Sequence, residues 1–358
     1  MERLQIAFFG ATNSGKSTLV NALAGQEVSL VSPQPGTTTD PVRKVIELPG
    51  LGACVLVDTA GYDDVSPLGE ERRRLTERVI DSTDIAVLLR SGHPEDDRWA
   101  ALLRKAEIPV VECTCRSGLD PQSLLQRIAQ AIPKIEERFL TGNLIKPGDT
   151  VVLVMPQDSE APKGRIILPQ VQILRELLDR GCVPVCCQPG LLETALKNLQ
   201  APPALVITDS QAFKAVETSL PKDCPLTSFS ILLAAAKGDI NTFIEGAKAI
   251  DRLKPGDLVL IAEACTHVPD TEDIGRVKIP ALLRKRVASL QVDISAGNDF
   301  PEDLTPYALI IHCGACVATS RLVRARTRKA LLAGVPFTNY GIAIAYLQGI
   351  LARVSIPA

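Results

Sequence analysis

The sequence has no excess of charge of either sign and no long hydrophobic run. Its 39 basic and 41 acidic side chains leave a formal net charge of −2, and this balance does not favour binding of nucleic acid. No segment reaches the roughly 18–20 apolar residues of a membrane helix, and the N-terminus lacks the apolar stretch of a signal peptide. We therefore expect a cytoplasmic protein with neither a membrane nor a nucleic-acid partner.

Histidine is also scarce, whereas cysteine is not. The chain has 3 histidines and 10 cysteines. Because thiols stay reduced in the cytoplasm, these cysteines are not expected to form disulfides. Each is therefore either a buried apolar side chain or a metal ligand, and the spacing between cysteines must separate the two classes.

The chain is long enough, at 358 residues, for two or three domains. Predicted strands and helices alternate along it, which is typical of α/β domains with mainly parallel sheets. Turn-rich stretches near residues 141–149 and 254–257 interrupt the alternation. We predict an α/β fold with a first domain over 1–140 and two smaller α/β domains over 146–237 and 238–358.

A phosphate-binding motif directly follows the first predicted strand. Residues 10–17 read Gly-Ala-Thr-Asn-Ser-Gly-Lys-Ser and open a helix, which matches the P-loop pattern G-x-x-x-x-G-K-S. The glycines let backbone N–H groups approach the phosphates, and the helix N-terminus favours their negative charge. Lys16 should contact the β- and γ-phosphates, and the Ser17 hydroxyl should bind Mg²⁺.

Two later motifs complete a nucleotide site. Asp58 and Gly61 bound an Asp-Thr-Ala-Gly motif at the end of a strand, where the carboxylate can hold the Mg²⁺ shell and the glycine N–H can contact the γ-phosphate. Thr38, within a threonine-rich loop at 35–40, is predicted to bind Mg²⁺ as a switch residue. The predicted nucleotide-binding residues are Gly10, Asn13, Ser14, Gly15, Lys16, Ser17, Thr18, Thr38, Asp58 and Gly61.

The residues that would catalyse hydrolysis are less evident. The sequence shows no clear general base, and Asp63 and Asp64 are only candidates. Lys16 and Thr38 are expected to assist by stabilising charge while water attacks the γ-phosphate.

One GTPase motif is missing. A guanine-reading Asn/Thr-Lys-x-Asp should follow a strand, but the strand at 108–111 leads into Glu-Cys-Thr-Cys-Arg-Ser-Gly at 112–118. We predict a P-loop GTPase domain that lacks one strand–helix unit, and its preference for guanine is left open.

The cysteine pattern predicts a metal centre. Cys265 follows one apolar strand, and Cys313 and Cys316 follow another in a C-x-x-C arrangement. Because adjacent parallel strands end at the same edge of a sheet, these thiols can converge. Two of the three histidines, His267 and His312, flank them.

Two metals fit this donor set. Three thiolates suit a [4Fe-4S] cluster, with His267, His312 or Glu263 as a possible fourth ligand or with an exchangeable group there. A Cys₃His site would equally suit zinc.

The order of the nucleotide motifs resembles the TrmE, Era and HydF group of GTPases. In that group an asparagine at the position of Asn13 accompanies a potassium ion beside the phosphates. The resemblance therefore implies GTP or GDP with Mg²⁺ and K⁺ as cofactors, and hydrolysis stimulated by K⁺.

The whole chain resembles the HydF family of [FeFe]-hydrogenase maturation factors. The resemblance is carried by the P-loop, by the Cys-x-His segment at 265–267 and by the His-Cys-x-x-Cys segment at 312–316. It implies a [4Fe-4S] cluster on Cys265, Cys313 and Cys316 and a dimerisation domain in the middle of the chain. It also implies a scaffold or carrier that receives a diiron precursor from the radical-SAM partners HydE and HydG and delivers it to the hydrogenase HydA.

Other features have simpler interpretations. Cys54, Cys182, Cys186 and Cys187 are expected to pack in the core, and the basic residues at 321–329 should form a solvated helix face that could also attract an acidic partner. Two alternatives stay open: an RNA-modification or ribosome-assembly GTPase with a structural zinc domain, and a degenerate nucleotide binder that serves only as a platform.

Overall fold

A computed structural model describes residues 3–25, 41–64, 68–114, 120–132, 139–157, 164, 166–264, 273–297 and 299–357. The chain forms two compact units, Met1–Glu136 and Glu137–Ala358. Among the described residues, no helix is long and apolar enough to cross a membrane.

The first unit is built on one sheet. Its strand order is β2-β3-β1-β4-β5, and all neighbours are parallel except β2 and β3. The strands are β1 (Leu4–Gly10), β2 (Val42–Leu48), β3 (Gly52–Asp58), β4 (Ile85–Arg90) and β5 (Val110–Thr114), and the helices are α1 (Lys16–Ala24), α2 (Gly69–Ile80), α3 (Glu95–Lys105) and α4 (Pro121–Ala131).

β1 is the central strand of this sheet, and the loop that follows it lies at the carboxyl edge, where phosphates bind in α/β folds. β1 is an apolar run that is buried on both faces, as expected for a strand covered by helices on two sides. It lies between β3 and β4, so the carboxyl ends of all three strands meet. The loops after β1 and β3 are therefore brought together.

The sheet of this unit ends at β5. Only residues 115–120 separate Thr114 from the start of α4, which is too short for a further strand and helix. The five described strands thus agree with the predicted loss of one strand–helix unit.

The second unit contains two four-stranded parallel sheets with the orders β7-β6-β8-β9 and β11-β10-β12-β13. The strands are β6 (Thr150–Val154), β7 (Val183–Cys187), β8 (Leu205–Thr208), β9 (Leu226–Ser228), β10 (Leu258–Ala262), β11 (Gln291–Ser295), β12 (Tyr307–His312) and β13 (Phe337–Asn339). The helices are α5 (Leu168–Asp179), α6 (Leu192–Lys197), α7 (Phe213–Ser219), α8 (Phe229–Lys237), α9 (Ile240–Ala247), α10 (Ile279–Arg286), α11 (Ser320–Leu332) and α12 (Tyr340–Leu347).

The two sheets share a hydrophobic core. Val152 and Val206 of the first sheet belong to the same buried cluster as Leu260 and Ile310 of the second. The predicted segments 146–237 and 238–358 therefore lie within one compact unit, and the boundary between them stays a prediction.

The register of the last sheet aligns four strand ends. Ala262 pairs with Ser295 on one side and with His312 on the other, and His312 pairs with Asn339. The strands that precede the two cysteine segments, β10 and β12, are direct neighbours. The segments after Ala262 and His312 thus leave the sheet at the same edge.

Candidate functional sites

The P-loop joins β1 to α1 through a tight turn. Gly15 has a φ of 92°, a conformation that glycine adopts without steric cost, and α1 begins at the next residue. At Gly10 a Cβ would lie 2.6 Å from Ser14 Oγ and 2.9 Å from Leu89 O. Gly10 is therefore required by local packing, and Gly15 is favoured by its backbone conformation.

Lys16 is buried beneath this loop. Its ammonium group donates to the carbonyl oxygens of Gly10 at 2.9 Å and Ala11 at 2.8 Å. Burial lowers the pKa of Lys16 to about 8, although the charges of Asp58 and Asp63 oppose the shift. A bound phosphate chain would supply the anionic partner that favours the charged amine.

The predicted Mg²⁺ ligands from the P-loop and from the end of β3 lie together. The Ser17 hydroxyl donates to Asp58 Oδ2 at 2.6 Å. A hydroxyl and a carboxylate are oxygen donors that Mg²⁺ accepts readily beside phosphates. Thr38, the third predicted contributor, lies outside the described residues.

The P-loop also contacts the segment after β3. A Cβ on Gly61 would lie 2.3 Å from Thr12 Oγ1 and 2.6 Å from Thr12 N, so only glycine fits. The Thr12 N–H and hydroxyl both donate to Asp63 Oδ1, at 2.5 and 2.7 Å. Burial opposes ionisation of Asp63, but the Thr12 hydrogen bonds outweigh it and lower the pKa of this carboxyl.

Neighbouring side chains anchor the same segment. Tyr62 is fully buried, stacks on Trp99 with ring centroids 5.2 Å apart, and donates its hydroxyl to Asp96. Asp64 forms an ion pair with Arg72 of α2. Both candidate general bases, Asp63 and Asp64, are thus engaged in structural contacts.

The remaining predicted P-loop residues occupy different environments. Asn13 is exposed and has a φ of 58°, and Thr18 is exposed on the first turn of α1. The Ser14 hydroxyl is buried, and it has no hydrogen-bond partner in the part of the chain that the structure describes.

The cysteine segments meet at the carboxyl edge of the last sheet. The N–H of Ala264, the residue directly before Cys265, donates to Cys313 Sγ at 3.1 Å. The N–H of Ala315 donates to the same sulfur at 3.4 Å. Such donors stabilise a thiolate, and Cys313 and Cys316 are both partly accessible.

The third predicted thiol ligand, Cys265, and one candidate histidine, His267, lie outside the described residues. The ranges that the structure describes contain no group of three His, Cys, Asp or Glu side chains able to hold a metal ion. The donor chemistry nevertheless fits a thiolate-bound centre, because Cys313 already accepts N–H groups from both segments.

Both ring nitrogens of His312 are hydrogen-bonded. Nε2 lies 3.1 Å from Arg326 Nη1, and Nδ1 lies 2.8 Å from the carbonyl oxygen of Cys313. Because a guanidinium group only donates, Nε2 is the acceptor and Nδ1 carries the proton. Burial, followed by the charge of Arg326, lowers the pKa of His312 to about 3, so the ring is neutral.

The other described candidate for a fourth ligand is also engaged. The Glu263 carboxylate is buried and accepts from Arg276 Nη2 at 2.8 Å. His312 and Glu263 would therefore have to exchange these partners before binding a metal. The identity of the fourth ligand stays a prediction.

Three residues at this edge were not identified from the sequence. Arg326 and Lys237 are buried cations, and Asn339 Nδ2 lies 3.4 Å from the carbonyl oxygen of Cys313. The expected solvated basic face holds for Arg324 and Arg328, but Arg326 is only 2% exposed. The burial of Arg326 follows from helical periodicity, because one face of α11 is formed by Val323, Arg326, Thr327 and Ala330.

The four cysteines expected in the core differ in burial. Cys54 and Cys182 are buried, Cys187 is partly buried and Cys186 is exposed. The prediction is wrong for Cys186, because β7 is an edge strand and Cys186 lies on the opposite face of it from Val185 and Cys187, which pack against the core.

Comparison with family models divides the chain into three matched segments. Residues 5–115 match the 50S ribosome-binding GTPase family. Residues 140–238 match the hydrogen maturase F dimerization domain, and residues 241–357 match the hydrogen maturase F tetramerization domain. The last two matches together cover more than half of the chain.

The curated relatives that the chain matches are GTPases, and each match covers part of both proteins. The GTPase Der of Hyphomonas neptunium is 43% identical over 116 residues, which is 30% of this chain and 22% of the relative. The tRNA modification GTPase MnmE of Syntrophotalea carbinolica is 32% identical over 204 residues, or 51% of this chain and 44% of the relative. The chain thus spans less than half the length of these relatives.

Among solved structures, Era of Aquifex aeolicus is 18% identical with a TM-score of 0.29, covering 84% of this chain and 97% of the other.

Proposed function

The chain belongs to the hydrogen maturase F family, and from this premise we propose that it is a GTP-hydrolysing scaffold that carries a [4Fe-4S] cluster on Cys265, Cys313 and Cys316. Its cargo would be the diiron precursor, which it assembles or delivers to the [FeFe]-hydrogenase HydA. The radical-SAM maturases HydE and HydG would supply that precursor.

One contact carries the cluster proposal. The N–H of Ala264 donates to Cys313 Sγ, and Ala264 directly precedes Cys265. Two chain segments far apart in sequence are thereby in contact at a sulfur atom. A cluster bound there would supply soft iron sites and a coordination position that cargo or an exchangeable ligand can occupy.

Both described candidates for the fourth position already have hydrogen-bond partners. His312 is bound to Arg326, and Glu263 is bound to Arg276. We therefore assign the position to His267 or to an exchangeable small ligand. Pulsed EPR on the reduced cluster checks this, since a His267→Ala variant should lose the ¹⁴N coupling of a bound imidazole; an unchanged coupling would contradict it.

The nucleotide chemistry follows from the P-loop. Mg²⁺, held by Ser17, Asp58 and Thr38, would neutralise charge on the β- and γ-phosphates. Lys16 would exchange its carbonyl partners for phosphate oxygens, and the Gly61 N–H would donate to the γ-phosphate. Water would then attack the γ-phosphate with no side-chain nucleophile.

The cluster proposal is tested by metal analysis. Anaerobically reconstituted wild type should be brown and should contain iron and sulfide, whereas Cys313→Ala should lose most of both. Cys186→Ala is the matched control, because Cys186 is exposed and outside the proposed site. A colourless wild-type protein containing zinc would overturn the proposal and favour a structural zinc domain.

Potassium is proposed as a further cofactor. Asn13 lies in the P-loop and is exposed, and its amide oxygen is a group that could help to bind a cation beside the phosphates. GTP hydrolysis should be faster in K⁺ than in Na⁺, and Asn13→Ala should remove most of the difference. Gln130→Ala, at an exposed position on α4 outside the predicted nucleotide site, should keep it; equal rates of the wild type in both salts would refute the role of K⁺.

The protein is further proposed to be an oligomer in which three segments of the chain have separate roles. The matched dimerization and tetramerization domains indicate a homo-oligomer. We assign residues 1–140 to GTP hydrolysis, 146–237 to dimerisation and 238–358 to the cluster, in the reducing cytoplasm. Light scattering on residues 1–140 and on the full chain checks this, because only the full chain should oligomerise.

Delivery to the hydrogenase needs a separate assay. Protein loaded by HydE and HydG should activate HydA that lacks its diiron unit, and Cys313→Ala should not. Activation by the variant at the wild-type level would exclude the cluster from transfer.

A further inference from the structure

Building on the proposed function, we propose that Arg326 and Lys237 are positioning residues that hold the cysteine segments together and stabilise the charge of the cluster. Both side chains are buried, with exposures of 2% and 3%. Arg326 lies on α11, and Lys237 is the last residue of α8. Neither would be a cluster ligand.

Arg326 connects the ends of three strands. Its Nη1 donates to the Glu263 carbonyl oxygen at 3.2 Å and lies 3.1 Å from His312 Nε2, while Nη2 donates to the Gly297 carbonyl oxygen. Glu263 follows β10, Gly297 follows β11 and His312 ends β12. One planar guanidinium therefore fixes the points at which the segments of Cys265 and Cys313 leave the sheet.

Lys237 holds the other side of the C-x-x-C turn. Its ammonium group donates to the carbonyl oxygens of Ala315 and Ala318, the latter at 2.8 Å. Ala315 directly precedes Cys316 and Ala318 follows it by two residues. Lys237 ends α8, so a residue of the matched dimerization segment fixes the loop of the matched tetramerization segment.

The turn that Lys237 holds is a strained one. Ala315 has a φ of 51°, an unusual value for a residue with a side chain. This conformation aims its N–H at Cys313 Sγ and its carbonyl oxygen at Lys237. The ammonium group thus helps to maintain a conformation that the isolated turn would avoid.

The positive charges of Arg326 and Lys237 suit the proposed iron–sulfur cluster. An iron–sulfur core bound by three thiolates is an anion, and reduction adds another negative charge. Because both cations are buried, their charges are only weakly screened by water and favour the reduced form of a nearby anion. Removing either cation should therefore loosen the cluster and lower its reduction potential.

The experiment compares four variants after anaerobic reconstitution of the full chain. Lys237→Met and Arg326→Gln remove a charge, Arg326→Lys keeps it with altered geometry, and Arg324→Gln removes an exposed charge from the same helix. Iron retained after gel filtration and the midpoint potential from EPR-monitored titration are measured. Circular dichroism and GTP hydrolysis report folding.

We expect Lys237→Met and Arg326→Gln to lose iron severalfold faster and to have a lower midpoint potential. Arg326→Lys should keep a potential near that of the wild type despite faster iron loss, and Arg324→Gln should match the wild type in both. If Arg326→Gln does not fold, Lys237→Met and Arg326→Lys decide the question.

Two results would overturn the inference in distinguishable ways. Wild-type iron retention and potential in Lys237→Met and Arg326→Gln would refute the role of the cations while leaving the cluster assignment intact. A wild type that binds no cluster would refute the proposed function and this inference with it.

Discussion

The pKa of the buried Lys16 depends on the groups that its ammonium group contacts. Its ammonium group donates to two backbone carbonyl oxygens. These neutral acceptors compensate only partly for the loss of water, and burial therefore lowers its pKa to about 8. Phosphates in the same place would raise the pKa again.

This change predicts proton uptake on nucleotide binding. With a pKa of about 8, Lys16 is mostly neutral at pH 9. The protein should therefore take up about one proton per site, on Lys16, when Mg²⁺–GTP binds. Calorimetry in buffers of different ionisation enthalpy measures this number. Lys16→Arg should take up none, because its guanidinium stays protonated; no uptake by the wild type would show that burial does not neutralise the amine.

Arg326 is the residue whose role changes most between sequence and structure. It lies in a run of basic residues that predicts a solvated face, yet it is buried against three strand ends. Charge counts along a helix cannot separate a residue on the buried face from its exposed neighbours. The period of apolar positions can, once the helix boundaries are known.

At the level of elements, the β1–loop–α1 unit and the strand before Asp58 agree with the predictions. Continuous apolar runs and glycine turns are local signals, and they need no distant partner to be recognised. β2 and β11 lack such a signal, because each is an edge strand with polar, half-exposed residues. Their strand conformation depends on pairing with β3 and β10.

The contact between the P-loop and the segment after β3 yields a prediction for Gly61. Gly61→Ala would place a Cβ inside contact distance of Thr12, so the two loops must separate. Because small displacements of reacting groups can cost about 100-fold in rate, hydrolysis should fall by that order. Phosphate release under saturating GTP measures it.

Gly190→Ala is the matched control for this change. An added Cβ at Gly190 meets nothing within 4 Å, so hydrolysis should be unaffected. A Gly61→Ala rate within twofold of the wild type would mean that the loops accommodate the methyl group.

At the level of the whole molecule, each unit has its own core. The first is built around β1 and β4, and the second around the two sheets that share a core. Units with separate cores can unfold in separate steps.

We therefore expect two calorimetric transitions that respond to different ligands. A non-hydrolysable GTP analogue at 100 times its Kd should stabilise the first unit by about 2.7 kcal/mol and raise its Tm by about 8 °C. Loss of iron should lower only the other transition. Lys16→Met should abolish the nucleotide shift, and joint movement of both transitions would show that the units unfold together.

The α/β class, the P-loop, the absence of a guanine-reading motif and the two cysteine segments could all be recognised in the sequence. These features are local in the chain, and short-range spacing carries their chemistry. Tertiary structure alone decided that Ala264 contacts Cys313, that His312 is a neutral ring bound by Arg326, and that Lys237 supports the turn before Cys316. Each of these depends on strand order and helix packing, which bring together residues far apart in the chain.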